Sequence, residues 1–284
     1  MIIAGIQKVT LVDYPGKVAA TIFTRGCSFR CGFCHNPELV LPEKFIPALD
    51  NEEIYKFLKS RVGKLEAVCI TGGEPMLFSD IGKLIKRIKS IGLLVKLDTN
   101  GSFPDRLEKV IEEGNLDYIA MDIKGPLDKY KDIARPIESL PQRGPLSGRA
   151  PKGRGNLSLD KNTPINVIPT PFDSLSSLRA VSVEGSFESK IVQSIKLIMD
   201  SGTCPERSRR IDYEFRTTVV KPMLSVEDFQ GIGQMIRGAK RYIIQNFVKS
   251  KHVLEEIKMS PFSDEELEAG KKIMEEYVSK VDIR

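Results

Sequence analysis

The chain has 284 residues, 41% of them hydrophobic and 29% charged, with a formal net charge of +5. That is ample material for a sizeable core, and the basic residues interleave with acids without any nucleic-acid motif, so no RNA or DNA partner is expected. No signal peptide and no apolar run long enough to span a bilayer are evident, which makes a cytoplasmic protein without membrane contact the expectation. The five cysteines lack the even, spread-out spacing of a disulfide scaffold.

In chain order, β-branched apolar runs at 18–24, 66–71, 93–99, 116–123, 211–220 and 240–247 read as strands. Segments 51–61, 79–91, 104–113, 188–200 and 225–238 space their apolar residues as helices do. A last helix is expected over about 263–279, opening at Ser263 and Asp264. Ser79 and Asp80 are candidate caps, Pro104 suits a first turn, and Gly92, Gly114 and Gly202 stand where left-handed terminators are wanted. Six strands each followed by a helix imply a parallel sheet with right-handed crossovers. Six units do not close an eight-stranded barrel. The expected fold is therefore α/β, an open partial (β/α)6 TIM-type barrel forming a single domain over 1–284, with its chemistry at the carboxyl ends of the strands.

Residues 137–189 break this rhythm, with 20 Pro, Gly or Ser among 53 and no sustained period. They read as a long insert of low order, and 203–210 reads as a short second one. Without them Gly202 runs straight into Ile211, an ordinary helix–loop–strand joint. The alternative for 137–189 is a lid over the active site.

The chemistry-bearing residues fall at the expected strand ends. Cys27, Cys31 and Cys34 stand in the run Cys27-Ser28-Phe29-Arg30-Cys31-Gly32-Phe33-Cys34, at a spacing from which all three thiolates reach one metal centre. A [4Fe–4S] cluster takes four cysteines, so three would leave one iron open. The competing possibilities are a zinc site with His35 as fourth ligand, and a set of buried thiols. Zinc prefers four well-separated side chains, and the adjacent pair Cys34 and His35 suits it badly. Cys69 and Cys204 stand alone. Thr71-Gly72-Gly73-Glu74-Pro75 closes the second strand; glycines there let backbone approach a ligand, and Glu74 adds an acceptor. Asp98-Thr99-Asn100-Gly101 and Asp122-Ile123-Lys124-Gly125 close the third and fourth. Lys124 is a point charge suited to a carboxylate; Asp98 and Asp122 suit hydroxyl groups or a monovalent cation.

The three-cysteine run with Phe33 before its last cysteine, followed by Gly72-Gly73-Glu74-Pro75, resembles the radical S-adenosylmethionine superfamily. The Cys34-His35-Asn36-Pro37 run, the Asp122-x-Lys124 pair and the openings Gly5-Ile6-Gln7-Lys8 and Asp13-Tyr14-Pro15-Gly16 resemble activators of glycyl-radical enzymes. Among these the likeness over 1–136 and 190–284 is to activating proteins of anaerobic ribonucleoside-triphosphate reductases. The resemblance implies one [4Fe–4S] cluster on Cys27, Cys31 and Cys34, with S-adenosylmethionine on its open iron. It implies that one electron from a flavodoxin or ferredoxin releases a 5′-deoxyadenosyl radical, which takes hydrogen from a glycine of the partner enzyme. It further implies that Phe33, His35, Gly72, Gly73, Glu74, Asp98, Asp122 and Lys124 surround the cofactor, with Gln245 and Asn246 as weaker candidates. Within the superfamily a pyruvate formate-lyase type activase or a small-molecule radical enzyme is the alternative; outside it, a zinc-binding or inactive relative.

Overall fold

A computed structural model describes residues 1–137, 186–202, 210–250, 253–255 and 258–284. Its strands form one sheet in simple sequential order: β1 (Ile3–Thr10), β2 (Ala19–Thr24), β3 (Ala67–Gly72), β4 (Leu94–Thr99), β5 (Tyr118–Asp122), β6 (Asp212–Val219), β7 (Tyr242–Asn246) and β8 (Val281–Ile283). All neighbours from β2 to β8 pair in parallel, while β1 lies antiparallel on β2. The sheet is not closed, and β2 to β7 are the six strands expected from the sequence. The two additional strands sit at its edges. β1 has exposed polar positions at Gln7 and Lys8, and β8 is three residues long, so neither shows a clear apolar period.

The helices are α1 (Pro37–Val40), α2 (Asn51–Ser60), α3 (Ile81–Lys89), α4 (Pro104–Glu112), α5 (Tyr130–Ala134), α6 (Phe187–Ser201), α7 (Asp228–Met235) and α8 (Asp264–Glu275). Pro104 opens α4, and α8 begins with a full capping box in which Ser263 and Glu266 satisfy one another's backbone N–H groups. Asp80 occupies the N-cap of α3 without a side-chain bond to the helix. Gly92 and Gly114 take left-handed φ values of 86° and 69°. Gly202 does not; its φ is −81°, and a Cβ there would lie 2.6 Å from the Tyr213 ring, so close packing explains this glycine. Ile137 and 186–189, at the margins of the expected insert, take part in this framework: Ile137 N–H donates to Ser28 O, Ser186 caps α6, and α6 begins at Phe187. The remainder of that segment, and most of 203–210 with Cys204, lies outside the described residues.

Strand alternation gives the sheet two unlike faces. Val68, Ile70, Val95, Leu97, Ile119, Met121 and Phe215 belong to the main apolar core with Ile81, Ile85, Leu107 and Ile195 of the helices. Ala19, Ala67, Tyr118 and Ala120 form a second small cluster with Tyr14 at the amino ends of the strands. Above it the intervening positions are polar or charged: Thr21, Lys96, Asp98, Asp122, Glu214 and Arg216. Register aligns them, pairing Lys96 with Tyr118, Asp98 with Ala120, and Asp122 with Arg216. No described helix is long and apolar enough to cross a membrane.

Candidate active site

At the carboxyl ends of the strands lies a cavity of about 240 Å³, a little below the roughly 300–1,000 Å³ usual for small-ligand sites. Cys27, Cys31, Phe33, Cys34 and His35 line it together with Gly72, Gly73, Glu74, Asp98, Asp122 and Lys124. Eleven of the site residues expected from the sequence thus border one space, while the weaker candidates Gln245 and Asn246 do not.

The cysteine loop has little regular structure, and backbone hydrogen bonds from several directions fix it. Cys34 N–H closes a turn on Cys31 O at 3.0 Å, and Arg30 N–H reaches the carbonyls of Ala134 and Arg135, each at 3.0 Å. On the other flank Leu254 and Glu255 donate to Cys34 O and Gly32 O at 3.0 and 3.1 Å. The Arg30 guanidinium donates to the carbonyls of Cys27 and Phe29. Burial pushes the Cys27 and Cys34 thiols up and brings Cys31 to about 11; neighbouring thiols raise Cys27 and Cys31 further, while Lys124 pulls Cys31 and Cys34 down. Such buried thiols need a cationic centre to become thiolates, and a metal cluster supplies one. Among the described residues no three His, Cys, Asp or Glu side chains converge on a single ion. The ligands of a cluster bind separate irons, so three thiols spread along one cavity wall fit that group. His35 Nε2 lies 2.8 Å from Val248 O and its ring stacks on Phe247, so that nitrogen is the donor and the ring is anchored to the chain.

The glycine pair beside Glu74 answers to backbone rather than to open space. A Cβ on Gly72, whose φ is 122°, would meet Thr24 N at 2.3 Å, and one on Gly73 would meet Gly26 O at 1.9 Å. Only glycine lets this turn press onto the end of β2. Glu74 N–H donates to Gly26 O at 2.8 Å. Its fully buried carboxylate accepts from Met76 N, Thr99 Oγ1 and Asn100 N at 2.9, 2.8 and 2.6 Å. Burial outweighs those donors and raises Glu74 to about 7. Its side chain therefore ties turn and strand together at the cavity wall.

The opposite composition rules at β4, β5 and β6, where charges alternate. Lys96 Nζ lies 2.5 Å from Asp98, Arg216 lies 3.2 Å from Asp98 and 2.9 Å from Asp122, and Lys124 lies 3.2 Å from Asp122. Burial would raise both carboxylates, but Arg216 overcomes it, with Lys96 at Asp98 and Lys124 at Asp122; Asp98 is lowered and Asp122 falls to about 2. Both therefore stay ionised. Burial opposes the charge on Lys124, yet Asp122 and Cys31 hold its titration above the usual lysine range. Its ammonium stands 5.8 Å from the Phe33 ring centroid, within cation–π range.

Arg216 and Lys96 were not among the residues expected from sequence. Each is the lone cation of its strand, in phase with the acidic strand ends, and that is the signal that marks them. Asn246 is not a cavity residue: its carboxamide clamps the backbone of Phe262, accepting at 2.9 Å and donating at 3.0 Å. Gln245, paired in register with Thr218, is likewise absent from the lining. Cys69 is buried within β3, with Lys96 Nζ 3.9 Å from its sulfur.

The Radical SAM superfamily profile matches residues 21–143, the stretch from β2 past β5. A Methanocaldococcus jannaschii protein that bears the provisional name glycyl-radical enzyme activating enzyme is 27% identical over 285 residues, covering 100% of this chain and 95% of its own. The GTP 3′,8-cyclase of Lactiplantibacillus plantarum is 34% identical over 119 residues, only 39% of this chain and 35% of its own. The crystal structure of Streptococcus suis SuiB bound to S-adenosylmethionine superposes with a TM-score of 0.52 at 12% identity, over 93% of this chain and 51% of SuiB. The chain thus spans about half of SuiB, and that likeness concerns the fold. Over residues 21–143 the chain is thus similar in sequence to the radical SAM superfamily.

Proposed function

We propose that this protein is a glycyl-radical enzyme activase whose partner is an anaerobic ribonucleoside-triphosphate reductase. In this reading Cys27, Cys31 and Cys34 hold a [4Fe–4S] cluster, and Phe33, His35, Gly72, Gly73, Glu74, Asp98, Asp122 and Lys124 surround S-adenosylmethionine. A flavodoxin or ferredoxin is the electron donor. The observation that carries the reading is the lining of one cavity by three thiols and by ionised strand-end side chains. The full-length likeness to the M. jannaschii protein and the Cys34-His35-Asn36-Pro37 run support the glycyl partner. When bound, the cluster and cofactor supply one-electron cleavage of the sulfonium and a radical able to take hydrogen from a glycine Cα.

The chain's own residues provide orientation. Lys124, held charged by Asp122, offers a cation to a carboxylate, and Asp122 and Asp98 remain acceptors for hydroxyl groups. Phe33 offers an apolar face to a purine. Glu74 fixes the turn whose backbone borders the cofactor's space. Residues 138–185 and 203–209 take no part in this scheme, and deleting both should leave iron binding intact.

The test is anaerobic: reduced protein, S-adenosylmethionine and the reductase encoded in the same genome, followed by electron paramagnetic resonance. A glycyl doublet is expected, lost when the partner's glycine is changed to alanine. Formation of 5′-deoxyadenosine driven by a small metabolite, with no doublet on any glycyl-radical protein, would overturn the assignment.

A further inference from the structure

Asn100 stands immediately after β4, and every polar atom of its side chain has a defined partner. Its Oδ1 accepts from Ser102 N at 3.0 Å and from Ser102 Oγ at 2.6 Å. Its Nδ2 donates to Ser28 Oγ at 3.1 Å and to Cys27 Sγ at 3.7 Å. Ser28 Oγ and Ser102 Oγ are 2.7 Å apart. These contacts order every proton. Because Ser102 N can only donate, the carboxamide oxygen must face it, which leaves the NH2 group for Ser28 and Cys27. Ser102 spends its hydroxyl proton on Asn100, so Ser28 donates to Ser102. The result is a closed ring, Asn100 to Ser28 to Ser102 and back, with one N–H left over and aimed at the Cys27 sulfur.

The ring is held from outside as well. Asn100 N–H is bound by Glu74 at 2.6 Å. The next residue, Gly101, has a φ of 75°, and a Cβ there would collide with the Met121 side chain at 2.1 Å. Asn100 is 5% exposed and Cys27 8%, so water competes little for this contact. Phe29 N–H gives Cys27 Sγ a second donor at 3.4 Å. Among the described residues, no other member of the cysteine triplet receives a side-chain N–H.

We propose that Asn100 is a positioning residue that tunes the reduction potential of the metal centre through its N–H bond to the Cys27 sulfur, with Ser28 and Ser102 holding the carboxamide in place. The proposal rests on Cys27 being a cluster ligand. Hydrogen bonds to cluster sulfurs are among the determinants of potential. Such a bond is stronger to the electron-rich reduced state, so it favours reduction, and groups behind the ligands commonly act in this way. The Asn100 backbone N–H on Glu74 ties the residue to the turn at the other edge of the cavity.

The experiment is a redox titration of anaerobically reconstituted protein, followed by the paramagnetic signal of the reduced cluster, with iron content measured in parallel. Asn100→Ala should lower the equilibrium constant for one-electron reduction about tenfold, a shift of about 59 mV to more negative potential. The double variant Ser28→Ala with Ser102→Ala should shift it in the same direction by less, since the donor stays but loses its guides. A role confined to packing would instead admit water, which stabilises the more highly charged reduced state and moves the potential up. An unchanged or raised potential in an Asn100→Ala protein that holds its iron therefore overturns the proposal. If that variant takes up no iron, the double variant decides, and absence of a negative shift there overturns it. If the wild-type protein takes up no iron, the cluster assignment itself falls and the proposal with it.

Discussion

The cavity has two walls built on different physics. The cysteine loop, 27–36, is short of regular structure and is held through its backbone, by partners at 134–137 on one side and 254–255 on the other. The strand-end wall, Asp98, Asp122, Lys124 and Arg216, rides on a rigid parallel register and is held through side-chain charge. A backbone-held loop can exchange most of its side chains so long as its carbonyls and N–H groups keep their partners. A charge-held wall cannot, because one neutralised member leaves another ion buried and alone. Glu74 belongs to both, with its N–H on Gly26 and its carboxylate on Asn100.

The hardest test of that contrast is at the exceptions within the loop. Cys27→Ala, Cys31→Ala and Cys34→Ala should each abolish the brown colour and the iron of the reconstituted protein, about four irons per chain in the wild type. Cys69→Ala should keep both, and stoichiometric zinc in place of iron would break the assignment.

In the charged wall, Arg216→Ala should cost roughly 3–5 kcal/mol, the usual penalty for removing one partner of a buried ion pair. The measurement is the urea midpoint. Adding Asp98→Asn to Arg216→Ala should recover part of the loss, and strict additivity of the two changes would contradict the coupling.

Two carboxylates of the cavity should also answer oppositely to pH. Glu74 titrates near 7 when folded against 4.5 as the ordinary value, so between those limits the folded protein holds a proton that the unfolded chain has released. Stability from this group is complete below about 4.5 and is lost as pH rises through 7, on the order of 3 kcal/mol. Asp122, depressed to about 2, stabilises above its ordinary value of 3.8 and loses that contribution as pH falls toward 2. Glu74→Gln should flatten the neutral slope in urea titrations and leave the acid slope in place.

The smallest effect is expected at the loop's outer flank. Arg135 and Glu255 form an ion pair with each side chain about a third exposed. Glu255→Gln should therefore change stability by no more than about 1 kcal/mol. Hydrogen exchange at Leu254 and Glu255 should stay slow in that variant, since their N–H groups bind loop carbonyls independently of the charge.

Much of the site was legible beforehand for local reasons. The cysteine spacing, the strand-end acids and the glycine pair are all runs of a few residues, and strands of a parallel sheet carry long apolar stretches that stand out. The edge strands β1 and β8 escaped because one is partly polar and the other very short. Arg216 and Lys96 escaped because a cation in a strand has meaning only once its cross-strand neighbours are known. The tight contacts of Gly72 and Gly73 were out of reach for the same reason: they are with Thr24 and Gly26, residues more than forty positions earlier.

By itself the sequence determined the alternation of strands and helices and the spacing of the thiols, because hydrophobic period and loop geometry act over a few residues at a time. Tertiary structure alone decided that Asp98, Asp122 and Arg216 form one charged wall, and that Asn100 aims its carboxamide at Cys27. Those meetings depend on strand register and on loop closure across dozens of residues, and no local pattern encodes either.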